Sequence, residues 1–481
     1  MTTGTLPATL VLLVLYVGLM MALAWVGRAR THDIADFVVG GRSLGGVTLG
    51  LSFFATYAST NSYLGFSGQA YSYGAPWLLM VPATVGFSLL AWWLIAPRLR
   101  EVTEQLGSLT IPDYVGFRFD SARARFVAAV IVVFASVLYM TAVYKGIGSL
   151  LSAFLGLGYG ATIGVVLVVV VLYTSIGGFH SVVRTDVVQA LMMVVAAVLL
   201  FAGIARAAGG LGALGEVRRA PATAGLFEWD VALPFPVLLG VVVASTIKFL
   251  VEPRQLSRFY ALADRGAARA GLVTSTACFL VVFSMLAPIG LLAHRLGGVL
   301  GEVRDTDEIV PALLASGELF GPLTTAFLML AMLSAAMSSL DSVLLVVATT
   351  FERDVVDLAR GHQSDRVGAA RLYVMVFAMV TALVALRPPA GIVELTSFSG
   401  SLYGACFLPA VALGLWWRRG DGASVLASFL VGILVLLSWR WSPLRGVLHE
   451  VFPAMLASLA AYVAVALRPS ARIVAATRTT T

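Results

Sequence analysis

Charge is scarce in this sequence. Asp, Glu, Lys and Arg make up 12% of 481 residues while apolar side chains make up 59%, a balance far from that of a soluble globular domain. Lysine is scarcer still: among 32 basic residues only Lys145 and Lys248 are lysine. Asparagine occurs once, at Asn61. The two cysteines, Cys278 and Cys406, fall in apolar stretches, where they behave as small hydrophobes and say nothing about redox compartment. The five histidines (His32, His180, His294, His362 and His449) are scattered through loops and helix ends, and no metal-ligand cluster or Ser/Pro linker interrupts the apolar segments. No loop brings a nucleophile, a base and an orienting group together, so the reading is not an enzyme.

What the chain does have is hydrophobic length, with a mean hydropathy of +0.93. A window of about 19 residues finds thirteen candidate spans: 7–27, 45–68, 75–97, 126–150, 157–176, 183–206, 233–252, 268–294, 319–350, 371–387, 391–416, 422–439 and 449–467. This predicts an all-α membrane protein with no room for a soluble catalytic domain. The first segment has no Lys or Arg before it and no convincing cleavage site after it, so it is expected to be retained.

Arginine sets the expected orientation. If the loop after the first span is cytoplasmic, that side collects Arg28, Arg30, Arg42, Arg98, Arg100, Arg118, Arg123, Arg125, Arg184, Arg254, Arg258, Arg265, Arg269, Arg353, Arg360, Arg366, Arg371, Arg418 and Arg419, with Arg468, Arg472 and Arg478 in the tail. The opposite side keeps few, among them Arg218, Arg219, Arg304, Arg387 and Arg445. The bias predicts an outside N-terminus and a cytoplasmic C-terminus in the cell membrane. The net charge of +7 is then a topology signal, not a nucleic-acid surface, and no obligate protein partner is implied.

Within the spans, polar groups are the informative residues, because lipid offers them nothing. Residues 50–71 are long enough to cross a bilayer, yet Ala55 to Ser62 is crowded with small and hydroxyl-bearing side chains. That composition suits a helix opened in mid-membrane at a binding site; it also suits a helix-packing face. The ninth span carries Ser334, Ser338, Asp341 and Ser342 on one face, with Ser339 at its edge. Hydroxyls, carbonyls and a carboxylate are oxygen ligands suited to a hard cation such as Na⁺, although interhelical hydrogen bonding accounts for them as well. The opened segment is the natural source of the remaining oxygens.

Three further features stand out. Gly177-Gly178 marks a short cytoplasmic turn before a helix carrying Thr185, Asp186 and Gln189; Asp186 reads as a helix-terminus carboxylate or as a group on an ion exit path. The seventh span, Ala244 to Arg254, is interrupted by polar groups and ends at Pro253. Paired interrupted helices at matching places point to an inverted repeat. The two lysines lie inside spans, where a compact ammonium able to change pKa is expected to serve function, or else to snorkel.

These stretches, in order, resemble the sodium/solute symporter family, which includes transporters of proline, pantothenate, monocarboxylates, sialic acid and sugars. The carriers are Gly41-Arg42-Ser43-Leu44-Gly45, Ser52 to Gly74, Gly177-Gly178 to Gln189, Met337-Ser338-Ser339 and Pro409 to Arg419, and the likeness covers nearly the whole chain. It implies the five-plus-five inverted-repeat fold shared with leucine-type amino-acid transporters. The expected layout is an extra helix and loop (1–44), a first repeat (45–206), an extracellular loop (207–232), a second repeat (233–416), and two extra helices with a cytoplasmic tail (417–481).

The resemblance implies a sodium site made of the Ala55, Ala58 and Ala335 carbonyls with the Ser338 and Ser339 hydroxyls. Asp186 matches an acidic position of a further ion site in some members, which Asp341 and Ser342 would complete. The solute would sit against Tyr57, Ser59, Asn61, Tyr139, Lys145, Ser245, Lys248, Phe249, Ser397 and Ser399. The resemblance also brings departures: proline-transporting members carry an acidic residue at the place of Tyr57, and sugar transporters carry acidic and amide residues where Asn61 and Ser62 stand. A pocket with lysines and few amides suits a small anion, so the expected function is Na⁺-coupled symport of a monocarboxylate or similar organic acid by alternating access. Na⁺ is the co-transported ion, and no organic cofactor is expected. An amino acid such as proline, or pantothenate, is the alternative solute. Proton coupling through Lys145, Lys248 or Asp341 is the alternative drive. A transporter-like sensor is the alternative class, against which stands the short tail after the last span.

Overall fold

The computed structural model describes residues 5–29, 31, 33–301, 303, 305–361 and 367–468. Arg30, His32, Arg304, His362, Arg366, Arg472 and Arg478 lie outside the described residues. Among those described there is no strand, only an isolated parallel bridge between Leu44 and Leu262. Among the described residues ten helices are long and apolar enough to cross a membrane, and three shorter apolar ones accompany them, Gly46–Tyr57, Tyr159–Leu172 and Val451–Ala466.

In chain order the first helices are α1 (Thr5–Arg28), α2 (Ile34–Val39), α3 (Gly46–Tyr57), α4 (Phe66–Tyr73), α5 (Met80–Leu90), α6 (Ala96–Leu106), α7 (Ile111–Arg118), α8 (Ala122–Leu155), α9 (Tyr159–Ala207) and α10 (Ala213–Arg219). They are followed by α11 (Phe235–Thr246), α12 (Lys248–Val251), α13 (Pro253–Tyr260), α14 (Arg265–Leu286), α15 (Ile289–Ala293), α16 (Gly297–Leu300) and α17 (Ile309–Ala315). The last are α18 (Pro322–Phe351), α19 (Asp357–Arg360), α20 (Val367–Ala385), α21 (Ile392–Leu408), α22 (Gly414–Trp416), α23 (Gly422–Arg440) and α24 (Val451–Ala466).

Several helix starts are fixed by side-chain caps. On the arginine-rich side, side chains of Asp33, Thr110, Ser121, Asp264 and Asp421 accept from the first-turn amides of α2, α7, α8, α14 and α23, satisfying donors that helical geometry leaves open. On the other side α11, α18 and α21 start from Pro234, Gly321 and Gly391 with no side-chain cap. Centre and rim also separate clearly: 94% of the apolar window of Pro322–Arg360 is buried, against 22% for the first helix. The central helix is therefore α18, and its polar stripe faces protein.

Three boundaries differ from the expected ones. Spans 157–176 and 183–206 abut as α9, with no loop between them, because Gly178 takes φ 61°, ψ −161° and turns the chain within one residue. The third span runs on to Leu106. The seventh does not end at Pro253: the chain is extended at Glu252 (ψ 126°) and resumes as α13, so Arg254 and Arg258 are 2% and 1% exposed, not loop residues.

Candidate functional site

α3 stops at Tyr57 in the middle of the protein. Ala58 is extended (φ −67°, ψ 108°), and Asn61–Gly65 resumes as a π-turn leading into α4. In an unbroken helix the carbonyl of Ala55 would accept from the amide of Ser59; here that amide donates to Ser62 Oγ at 3.4 Å, and Ser59 Oγ accepts from the Asn61 amide at 3.2 Å. The hydroxyls of the segment thus stabilise the opening locally, and the last carbonyls of α3 are left for other partners.

α18 supplies those partners. Ser338 Oγ lies 2.9 Å from the Ala55 carbonyl and 3.0 Å from that of Ala335. Ser339 Oγ donates to the Thr56 carbonyl at 3.0 Å, and Thr56 Oγ1 is 3.2 Å from Ser342 Oγ. Ala55, Ala335, Ser338 and Ser339 are therefore brought together with no exposure, and the Thr56 carbonyl joins them. Ala58, also expected here, is the extended residue beyond them. Carbonyls at a helix C-terminus carry partial negative charge. Together with two hydroxyls they form an all-oxygen set whose chemistry fits a monovalent hard cation. Among the described residues no cluster of His, Cys, Asp or Glu could hold a metal, so the oxygen donors come from backbone and hydroxyls.

One turn toward the arginine-rich side lies a second buried cluster. Asp186 Oδ2 accepts from Ser52 Oγ at 2.5 Å and from Arg258 Nη2 at 2.9 Å. Arg258 Nη2 also donates to Ser342 Oγ at 2.6 Å, and Ser342 Oγ is 3.3 Å from Asp341 Oδ1. Asp186, Asp341 and Ser342 are thus in one place, with a guanidinium among them. Arg254 has a parallel role: it donates to the Thr56 carbonyl at 2.8 Å and to Glu252 at 2.7 Å, with its guanidinium 3.8 Å from the centre of the Tyr139 ring.

On the other side of the opening lie several of the residues expected to face a solute. Tyr57 stacks on Phe249 at 4.1 Å and donates to the Ser245 carbonyl at 3.1 Å. The Lys248 ammonium is 5.1 Å from the centre of the Tyr139 ring and, among the described residues, has no hydrogen-bond or ion-pair partner. Gly400 makes room for it: a Cβ there would lie 1.8 Å from the Ala244 carbonyl and 2.7 Å from Lys248 Cε. Ser399 is taken up by the Ala135 carbonyl at 3.0 Å. Buried polar atoms without partners crowd the same region: Thr60 Oγ1, Asn61 Oδ1, Ser245 Oγ, Tyr139 Oη and Glu252 Oε2.

A cavity of about 360 Å³ opens above, lined by Val237, Val241, Asp307, Ser397, Arg440 and His449 among others. Val237, Val241, Ser245 and Lys248 follow one another at helical spacing, so this wall of the cavity runs down to the lysine. Ser397 lies 3.5 Å from His449 Nε2. Lys145 is held by Asp305 at 3.4 Å and Asp307 at 3.2 Å, two residues that line this cavity. Burial pushes the Asp307 carboxyl above its ordinary range. The opposite end is closed by buried pairs: Arg125 bridges Asp113 and Asp354 at 2.8 Å each, and Arg353 meets Asp113 at 3.0 Å.

A broken helix facing a hydroxyl-lined central helix, on an all-helical membrane scaffold, defines a secondary transporter. The chain belongs to the sodium:solute symporter family, whose model matches residues 37–432, and is a multi-pass membrane transporter coupled to Na⁺. It is 32% identical to the osmoregulated proline transporter OpuE of Bacillus subtilis, over 93% of this chain and 92% of that protein. It is 26% identical to the sodium/pantothenate symporter of Haemophilus influenzae, covering 91% of each. Its fold is that of a Na⁺-coupled sialic acid symporter solved in a substrate-bound outward-open state, with TM-score 0.81, 20% identity, and 96% and 98% of the two chains covered.

Proposed function

We propose that the chain carries a small monocarboxylate inward with Na⁺, the ion held between the end of α3 and α18 and the carboxylate taken by Lys248. The observation that carries this reading is the Lys248 ammonium: buried at 3% exposure, seated over Tyr139 and, among the described residues, without a hydrogen-bond or ion-pair partner. A desolvated ammonium in that condition gains most from a carboxylate. The Tyr57–Phe249 stack supplies an apolar wall for the rest of a small solute. Proline and pantothenate, named for the relatives, both bear one carboxylate. A second reading, a zwitterionic amino acid, is favoured by Glu252, whose Oε2 is buried without a hydrogen-bond partner and could receive an ammonium.

Alternating access is the mechanism this supports. Sodium bound by the Ala55, Ala58 and Ala335 carbonyls with Ser338 and Ser339 holds the opened helix against α18 and favours the state that accepts solute. Its departure at the other face loosens that contact. With the arginine-rich side cytoplasmic, the cavity faces outward, and the membrane potential contributes about 2.3 kcal/mol per net charge moved per 100 mV. The three shorter apolar helices complete thirteen spans in this reading, with repeats over 45–206 and 233–416; the breaks at Ala58 and Glu252 stand in the first helix of each.

The test is uptake into proteoliposomes of short monocarboxylates, L-proline, pantothenate and a sugar, each under a Na⁺ gradient at fixed pH and under a proton gradient without Na⁺. Saturable uptake of a monocarboxylate that needs Na⁺ supports the reading. Uptake of L-proline alone moves the assignment to the amino acid, and uptake driven by protons alone refutes the ion site.

A further inference from the structure

The cluster around Asp186 has the acidic and hydroxyl groups of a cation site, and a side chain already occupies it. Arg258 Nη2 is within hydrogen-bond distance of both Asp186 Oδ2 and Ser342 Oγ, two of the oxygens that a second Na⁺ there would use. The arginine is fixed from every direction: Nε donates to Ser52 Oγ at 3.0 Å, Nη1 to the Arg254 carbonyl at 3.0 Å and to Ser257 Oγ at 3.1 Å. It is 1% exposed and packs over the Phe179 ring at 5.4 Å. A Na⁺ on the same oxygens would have to displace it or sit against a like charge in a dry site.

We propose that the Arg258 guanidinium is a tethered cation standing where a second Na⁺ would bind, so that one Na⁺ travels with each solute. This rests on the Na⁺-coupled reading above. Equilibrium binding of ²²Na⁺ to the purified full chain in detergent, counted per molecule at saturation, reads it without transport. One Na⁺ per chain is expected, with a Hill coefficient near 1 for Na⁺-driven uptake; two per chain and a coefficient near 2 overturn the proposal and leave the first site standing. In Arg258→Gln the count is expected to rise to two, and a count that stays at one overturns the role given to the arginine. Should that variant not accumulate as folded protein, Arg258→Lys keeps a tethered charge: one Na⁺ supports the proposal and two overturn it. No Na⁺ bound by the unaltered chain overturns the coupled reading itself and this inference with it.

Discussion

Ser338 Oγ sits 2.9 Å from the Ala55 carbonyl, a contact across 283 residues of sequence between a hydroxyl of the central helix and a backbone oxygen that helix α3 would otherwise have used for itself. If Na⁺ is bound there, each hydroxyl supplies one of its oxygens. Ser338→Ala is therefore expected to raise the Na⁺ concentration for half-maximal uptake about tenfold or more, the equivalent of ~1.4 kcal/mol. Ser339→Ala, which touches the Thr56 carbonyl, is expected to act in the same direction. The check is the Na⁺ dependence of uptake at fixed solute.

Lys248 is the group expected to separate solute from ion. A hydrogen bond to a charged group is worth about 1.5–3 kcal/mol. Lys248→Ala is therefore expected to raise the solute concentration for half-maximal uptake roughly ten- to a hundredfold, while ²²Na⁺ binding without solute stays within about twofold. Loss of both would place the lysine in the ion site.

Gly400 tests the same pocket from the facing helix. A Cβ there meets the Ala244 carbonyl at 1.8 Å, so α11 and α21 must part. Gly400→Ala is expected to cost about 1–3 kcal/mol as an overpacked contact, seen as a lower Tm, and to weaken solute binding more than Na⁺ binding.

At the closed end, Arg125 is the shared partner of Asp113 and Asp354. Arg125→Ala leaves two buried carboxylates without it, a loss of about 3–5 kcal/mol borne by the closed face. With Cys278 and Cys406 replaced, a Thr349→Cys reporter, which lines a small cavity at that end, is expected to react with a polar thiol reagent several-fold faster once Arg125→Ala is added. An unchanged rate would mean that the pairs do not hold this face shut.

The opening of α3 was legible because its cause is local: Ser59 and Ser62 hydrogen-bond the backbone of their own turn, and such side chains are visible in any window. The Ser338–Ser339 stripe was legible from helical spacing. Arg254 and Arg258 were misread as loop arginines, because Pro253 looks like an end and the partners that bury them are remote: Thr56 is 198 residues from Arg254 and Asp186 is 72 from Arg258. The partners of Lys145 were out of reach for the same reason, its carboxylates lying 160 and 162 residues away. Hydropathy prices a charge as if it were alone, and buried ion pairs are made by distant segments. That the Thr56 carbonyl accepts from Ser339 and Arg254 was not legible, since which oxygen meets α18 depends on where the helix breaks.

Uptake of a labelled short monocarboxylate by proteoliposomes under an inward Na⁺ gradient, compared between the unaltered chain and the Ser338→Ala, Ser339→Ala double variant, reaches the centre of the account. Na⁺-driven accumulation that the double variant abolishes at ordinary Na⁺, and that high Na⁺ partly restores, is the predicted result. Undiminished Na⁺-driven accumulation by the double variant would contradict it.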